Sequence, residues 1–185
     1  MIYEEKEVRL RDGTSVLLRS PQAADAAQMV DYLKTVCAET PFLTREPEEA
    51  DIPLDKEEPL LQRIADSEND LMIACEINGK IVGNANLNRM TMLRMRHRAS
   101  VGVAVFREYW GRGIGSLLFS ELIRIAKELG IRQLELEVVG GNDRARNMYE
   151  RFGFAVVGEK PNAFRLKDGT MLSEISMIKE LESIS

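Results

Sequence analysis

Apolar and polar residues alternate from Glu7 to Arg19 on both sides of Asp12-Gly13, a dipeptide suited to the left-handed angles of a hairpin turn. Ser20-Pro21 then reads as an N-cap followed by proline at the first helical position. Ala26, Met29, Leu33 and Val36 continue as one helical stripe. Residues 40–58, proline-rich and acidic, read as a loop, and a short helix is expected around 60–65. The segment DLMIACEINGKIVGNANL gives two strands joined by Asn78-Gly79, the strongest hairpin signal in the chain. Over 99–105, Ser100, Gly102 and Ala104 alternate with Val101, Val103 and Val105, so one face of this strand is bare enough for a ligand to lie against its backbone.

Period-3.6 spacing resumes with Ile114, Leu117, Leu118, Leu122, Ile125 and Leu129, a helix ended by Gly130. In QLELEVV, Leu134, Leu136 and Val138 share one face and Glu135 and Glu137 the other. Asn142 is placed to cap a further helix with Ala145, Met148 and Phe152 inward and Gly153 as terminator. Two last strands are expected near 154–157 and 174–178, with Asp168-Gly169 at a turn. Counting the opening hairpin as one element, the order is strand, helix, helix, three strands, helix, strand, helix, two strands: a mixed α/β sheet. No repeat or Gly/Ser-rich linker interrupts it, so one domain over 1–185 is the simplest organisation.

Composition narrows the function classes. A chain of 185 residues with 44% hydrophobic and 30% charged content buries a substantial core and is neither disordered nor fibrous. No apolar run approaches the roughly 18 residues of a membrane span, and MIYEEKEVRL lacks a signal-peptide pattern. Cys37 and Cys75 form neither a metal-ligand spacing nor a disulfide framework. A cytoplasmic protein with no metal and no membrane partner is expected. A net charge of −5 speaks against nucleic acid as a partner. The charge is uneven: residues 46–58 carry seven acids and one lysine, and 89–98 carry four arginines and His97. Both stretches read as solvated loops. Alternatively, the acids attract a cationic substrate and the basic stretch meets an anion.

The candidate chemistry lies in EYWGRGIGSLL (108–118), three glycines at alternate positions running into a helix. Such glycines let backbone amides approach a phosphate. A Walker loop is excluded, because 107–118 contains no lysine. A dinucleotide fingerprint fits poorly: the position for its third glycine holds Ser116 or Leu118, and FREYW separates the strand from the loop.

The bare-faced strand ASVGVAV, then G-R-G-I-G opening a helix, then N-D-R-A-R-N-M-Y-E-R-F-G-F about 25 residues on, together resemble the GNAT superfamily of N-acetyltransferases in its bacterial small-amine or protein-amine branch. The resemblance is strongest over 71–158. It implies a mixed, mostly antiparallel β-sheet flanked by helices, with acetyl-CoA as acyl donor. Backbone amides around Gly111, Arg112, Gly113, Gly115 and Ser116 would then meet the cofactor's pyrophosphate, with Arg112 as the nearer side chain and Trp110 as packing. The backbone of Val103 and Val105 would pair with the pantetheine arm. Asn142 matches an asparagine that contacts that arm, although a helix N-cap explains it equally well. Tyr149 matches the tyrosine that protonates the departing thiolate; its alternative is packing beside Met148 and Phe152.

The implied reaction is direct attack of a primary amine on the thioester, with the carbonyl oxygen held by a backbone N–H of the preceding strand. Where many family members place a glutamate on that strand, 99–105 has no carboxylate. Glu135 and Glu137 remain as bases acting through water, and His97, among arginines, suits a surface or phosphate-facing position. The acceptor is a small-molecule or peptide amine: a polyamine, amino sugar, amino-acid derivative or protein N-terminus. A homodimer is compatible with the chain. The alternatives are a non-catalytic acyl-CoA-binding module and a dinucleotide-dependent oxidoreductase.

Overall fold

The computed structural model describes residues 1–182. Its strands and α-helices follow in the order β1 (Lys6–Arg9), β2 (Ser15–Arg19), α1 (Ala26–Glu39), α2 (Leu54–Asp66), β3 (Asp70–Ile77), β4 (Lys80–Arg89), β5 (Arg98–Val105), α3 (Ile114–Glu128), β6 (Gln133–Val139), α4 (Asp143–Arg151), β7 (Ala155–Arg165) and β8 (Met171–Glu180). One sheet takes them in the spatial order β1-β2-β3-β4-β5-β6-β8-β7. Every neighbouring pair is antiparallel except β5 with β6. The expected mixed, mostly antiparallel sheet is therefore present, and the doubly wound parallel sheet of a dinucleotide fold is not.

Several boundaries differ from the sequence expectation, each for a physical reason. Ser20 does not cap α1. Its hydroxyl accepts from the Tyr3 amide at 2.8 Å and donates to the Met72 carbonyl at 3.1 Å, which ties neighbouring strands together. A 3₁₀ turn at Ala23–Asp25, closed by a reciprocal box between Gln22 and Asp25, leads into the helix instead. The expected loop over 40–58 contains a 3₁₀ turn at Pro47–Ala50 and the start of α2 at Leu54, where Asp55 and Glu57 complement the positive end of the helix. Strands β7 and β8 run well past 154–157 and 174–178. Pro161 disguises the continuation of β7, and the ladder is irregular there, between Lys160 and Phe164.

The sheet divides where β5 meets β6. Only Arg98, Ala99 and Ser100 pair with Gln133, Leu134 and Glu135. Beyond them β5 stays on β4 as far as Val105, and β6 stays on β8 as far as Val139. Two half-sheets thus part like a fork. Across its closed end the Arg98 guanidinium holds Glu135, and Gln133 Nε2 donates to the same carboxylate at 2.8 Å.

Helix α3 seats against the first half-sheet through Ile114, Leu118, Phe119, Leu122 and Ala126, all fully or nearly fully buried. A Cβ on Gly83 of β4 would meet Ile114 and Leu118 at 3.3 Å, so strand and helix approach closely. Phe119 reaches the second half: its ring lies 5.1, 5.2 and 5.4 Å from those of Tyr149, Phe152 and Phe154. Cys37 and Cys75 are both free and buried, and no helix among the described residues is long and apolar enough to cross a membrane.

Phe119→Ala should cost about 3–5 kcal/mol of stability, because a buried ring is removed from between three aromatic neighbours. Urea unfolding with an unchanged slope would show it as a lower midpoint. A midpoint equal to wild type would mean α3 does not hold α4 through this ring.

Candidate active site

Beyond Ser100, the edge of β5 that faces the fork has no strand partner among the described residues. The Phe106 amide donates to the Val82 carbonyl, and the Met90 amide to the Arg98 carbonyl. Residues 98, 100, 102, 104 and 106 therefore face β4 in alternation, and the amides and carbonyls of Val103 and Val105 face the gap. The Val105 carbonyl is already taken by the Trp110 indole N–H at 2.7 Å. What remains for a ligand is the Val103 amide and carbonyl and the Val105 amide. Val103 and Val105 are thus placed as an extra strand would need them.

At the open end of that edge the chain turns through a 3₁₀ segment, Arg107–Tyr109, into the glycine loop. Gly111 and Gly113 hold φ of 80° and 90°, angles that cost other residues about 1–2 kcal/mol each. Gly113 caps α3 without a side chain, and the first intrahelical bond runs from the Leu117 amide to the Gly113 carbonyl. The amides of Ile114, Gly115 and Ser116 are the orphan donors of the helix start, carrying its positive end. With Val103, Val105 and Arg144 they line a cleft of about 290 Å³.

Arg112 corrects the sequence expectation. Its guanidinium donates to Asp12 at 2.7 Å and to the Thr14 hydroxyl, and it lies over the Tyr109 ring. Held by the β1–β2 turn, the side chain does not line the cleft; only its backbone belongs to the loop. The cations that line the cleft are Arg144 and Arg151 of α4. Arg144 stacks on Trp110, with its guanidinium carbon 4.7 Å from the ring centroid. Both arginines and Trp110's hydrogen bond were missed in the sequence. The available signal was the 3/4 spacing of Arg144, Ala145, Met148 and Arg151 on one face of α4.

A second cleft, about 360 Å³, opens on the other face of the sheet beneath α1 and the 42–44 loop. Its floor is β4 and β5. Asn84, Asn86 and Asn88 stand opposite Ala104, Gly102 and Ser100 in register. The bare face of β5 therefore makes room for asparagines rather than for the pantetheine arm: a Cβ on Gly102 would sit 2.8 Å from Asn86 Oδ1. Asn86 donates to Asn88 at 2.8 Å, and Asn88 to Asp70 at 3.0 Å. Val103, Ala104, Asn142, Ala145 and Tyr149 line both clefts, so the two meet there.

Tyr149 is 6% exposed, and burial pushes its pKa up to about 12. It packs on Phe119 and also borders both clefts, so its packing leaves it at their junction. Asn142 accepts from the Ala145 amide at 3.2 Å, the expected cap. The cap uses its oxygen and leaves the NH₂ group to the junction.

The two candidate bases separate. Glu135 sits at the closed end of the fork, where the Arg98 guanidinium first, and Gln133 after it, hold its carboxyl below the usual carboxylate range against the opposing effect of burial. It lines neither cleft, and as a base it is set aside: its oxygens are occupied and its basicity is lowered. Glu137, two residues on, lies past the last β5–β6 pair and lines the second cleft. His97 is exposed and lines neither cleft. The acids of 46–58 do not guard an entrance: Glu46 and Glu48 pair with Lys167 at 3.4 and 2.8 Å, Asp51 pairs with Lys34 at 3.0 Å, and none lines either cleft.

Residues 36–154 match the family model described as acetyltransferase (GNAT) family. Over 98 residues the chain is 29% identical to the L-amino acid N-acetyltransferase AaaT of Escherichia coli (strain K12), covering 52% of this chain and 60% of that protein. The chain thus spans less than two thirds of that curated relative's length. The structure superposes on an acetyltransferase of the GNAT family from Streptococcus pneumoniae with a TM-score of 0.84 at 30% identity, over 90% of this chain and 99% of that one. It shares its fold with yncA of Salmonella typhimurium, solved with its cofactor acetyl-CoA, at a TM-score of 0.78 and 19% identity over 92% and 96% of the two chains.

The geometry separates paired variants. Arg144→Ala should weaken coenzyme A binding about 10-fold by calorimetry, whereas Arg112→Ala should leave it within about 2-fold. Glu135→Gln should lower the melting temperature at neutral pH, with the difference vanishing as pH falls. A carboxyl held low in the folded state stabilises above its unfolded pKa and loses that contribution on protonation. Equal losses of affinity in the two arginine variants would return Arg112 to the cleft.

Proposed function

This chain belongs to the acetyltransferase (GNAT) family, and we propose that it transfers an acetyl group from acetyl-CoA to a primary amine by direct attack. The observation that carries the reading is the junction of the two clefts. A phosphate-competent helix start and an unpartnered strand edge lie on one side, and a carboxylate-bearing cleft on the other. Tyr149 stands between them.

The residues present fit the cofactor. Orphan amides at 114–116 with Arg144 and Arg151 suit its phosphates, and the free backbone groups of Val103 and Val105 suit the amides of its arm. Acetyl-CoA supplies a thioester whose carbonyl carbon accepts an amine, giving an amide and a free thiol. Glu137, reaching through a water, takes the proton that an alkylammonium must lose before attack. A gap-facing amide of β5 offers its N–H to the carbonyl oxygen as charge gathers there. Tyr149 gives its proton to the departing sulfur and regains one from solvent or from Glu137. Its raised pKa keeps it protonated, the state a general acid requires.

A non-catalytic binding module would need the cofactor cleft alone. The shared lining of both clefts at Tyr149 favours the enzyme. Tyr149→Phe should lower kcat about 100-fold while leaving the acetyl-CoA dissociation constant within about 2-fold, read by thiol release and by calorimetry. With Tyr149 near 12, wild-type activity should rise with pH as the acceptor amine loses its proton, and should not fall from tyrosine ionisation below about pH 11. Wild-type kcat in Tyr149→Phe would remove the acid role. Absence of acetyl-CoA binding would remove the whole reading.

A further inference from the structure

We infer that the second cleft takes a short aliphatic diamine: a primary amine whose far end carries a second ammonium group and no carboxylate. This rests on the acyl-transfer reading and names the acceptor class of the same site.

The lining of the cleft is one-sided in charge. Among the described residues that form it none is lysine, arginine or histidine, whereas Glu137 and Glu174 are both present. Glu137 pairs in register with Ser176 and Glu174 with Val139, so the two carboxylates share one face of neighbouring strands. The nearest cation to Glu174 is Lys160 at 3.9 Å, an exposed residue outside the lining. An α-amino acid would bring its own carboxylate into this space with no cation to meet it and two like charges to oppose it. The exclusion is built in, because the one arginine on this face of β5, Arg98, is spent on Glu135 at the closed end.

Two further observations fit a diamine. The walls at Leu33, Val36, Phe42, Leu43 and Phe164 are apolar and suit a methylene chain. On the floor, the Asn84 side-chain oxygen is buried without a hydrogen-bond partner, an acceptor that an N–H donor entering the cleft would satisfy. Glu137 serves the attacking amine, and Glu174 takes the second ammonium group.

The test holds the chain length fixed and changes the far group. Thiol-release kinetics compare 1,4-diaminobutane, n-butylamine and 4-aminobutyrate, with L-alanine and a tripeptide amide as further arms. The diamine should exceed butylamine in kcat/KM by about 10-fold and 4-aminobutyrate by about 100-fold. Glu174→Gln should lower kcat/KM for the diamine about 10-fold and leave butylamine within about 2-fold, so butylamine turnover doubles as the check on folding. In wild type, raising the salt should erode the diamine's advantage over butylamine. The inference is overturned if 4-aminobutyrate, L-alanine or the tripeptide amide equals or exceeds the diamine. It is also overturned if Glu174→Gln lowers every acceptor alike. Acetyl-CoA affinity by calorimetry separates the two readings: binding without acetylation of any arm removes the diamine alone, and no binding removes acyl transfer itself.

Discussion

Among the described residues, three residue pairs, Arg98–Ser100 against Gln133–Glu135, are the only strand pairing that joins the two halves of the sheet. The rest of the site depends on how short that seam is. Each strand has a full ladder on its outer side, β4 for β5 and β8 for β6, so parting costs neither its fold. The parting leaves Val103 and Val105 with backbone groups that a sheet would ordinarily have consumed. It also carries Glu137 away from β5 into an open cleft, while Glu135, one pleat earlier, stays clamped by Arg98 at the vertex. A seam three residues longer would pair Val103 and close the junction where Tyr149 stands.

Charge is sorted by the same division. The cleft at the glycine loop has the orphan amides of α3 with Arg144 and Arg151 and one carboxylate, Glu39, which accepts from the Arg107 amide at 2.8 Å; the second cleft has Glu137 and Glu174 and no cation among its described lining residues. On the proposed reading, an anionic cofactor and a cationic acceptor would approach from opposite faces of one sheet and meet at Tyr149. Phe119 connects the two requirements, since it is buried on α3 and touches Tyr149 of α4.

Much of this was legible in the sequence because local rules governed it. Alternation gave β1, β2, β5 and β6, the Asn78-Gly79 turn gave β3 and β4, the 3/4 stripe gave α3, and Asn142 capped α4 where its position demanded. Glycine was legible as a requirement at Gly111 and Gly113, whose left-handed angles leave few alternatives, whereas a Cβ on Gly115 would meet Met148 only at an ordinary 3.5 Å. The misreadings of individual side chains share one cause: each answered to a residue distant in sequence. Arg112 is claimed by Asp12 and Thr14, Ser20 by Tyr3 and Met72, and Glu135 by Arg98. The bare face of β5 was read correctly as bare and assigned to the wrong occupant, because the asparagines of β4 that fill it become its neighbours only through strand register.

The central claim is that the edge of β5 is free in the protein and filled by the cofactor arm. Amide hydrogen exchange along 100–105, read by NMR with and without coenzyme A, tests it most directly. Gly102 and Ala104, bonded to β4, should be protected in both states. The Val103 and Val105 amides should exchange quickly in the free protein and slow by about 10-fold or more when the cofactor pairs with them. Val103 and Val105 amides that are already protected, or that stay fast in a demonstrably bound complex, would contradict the account.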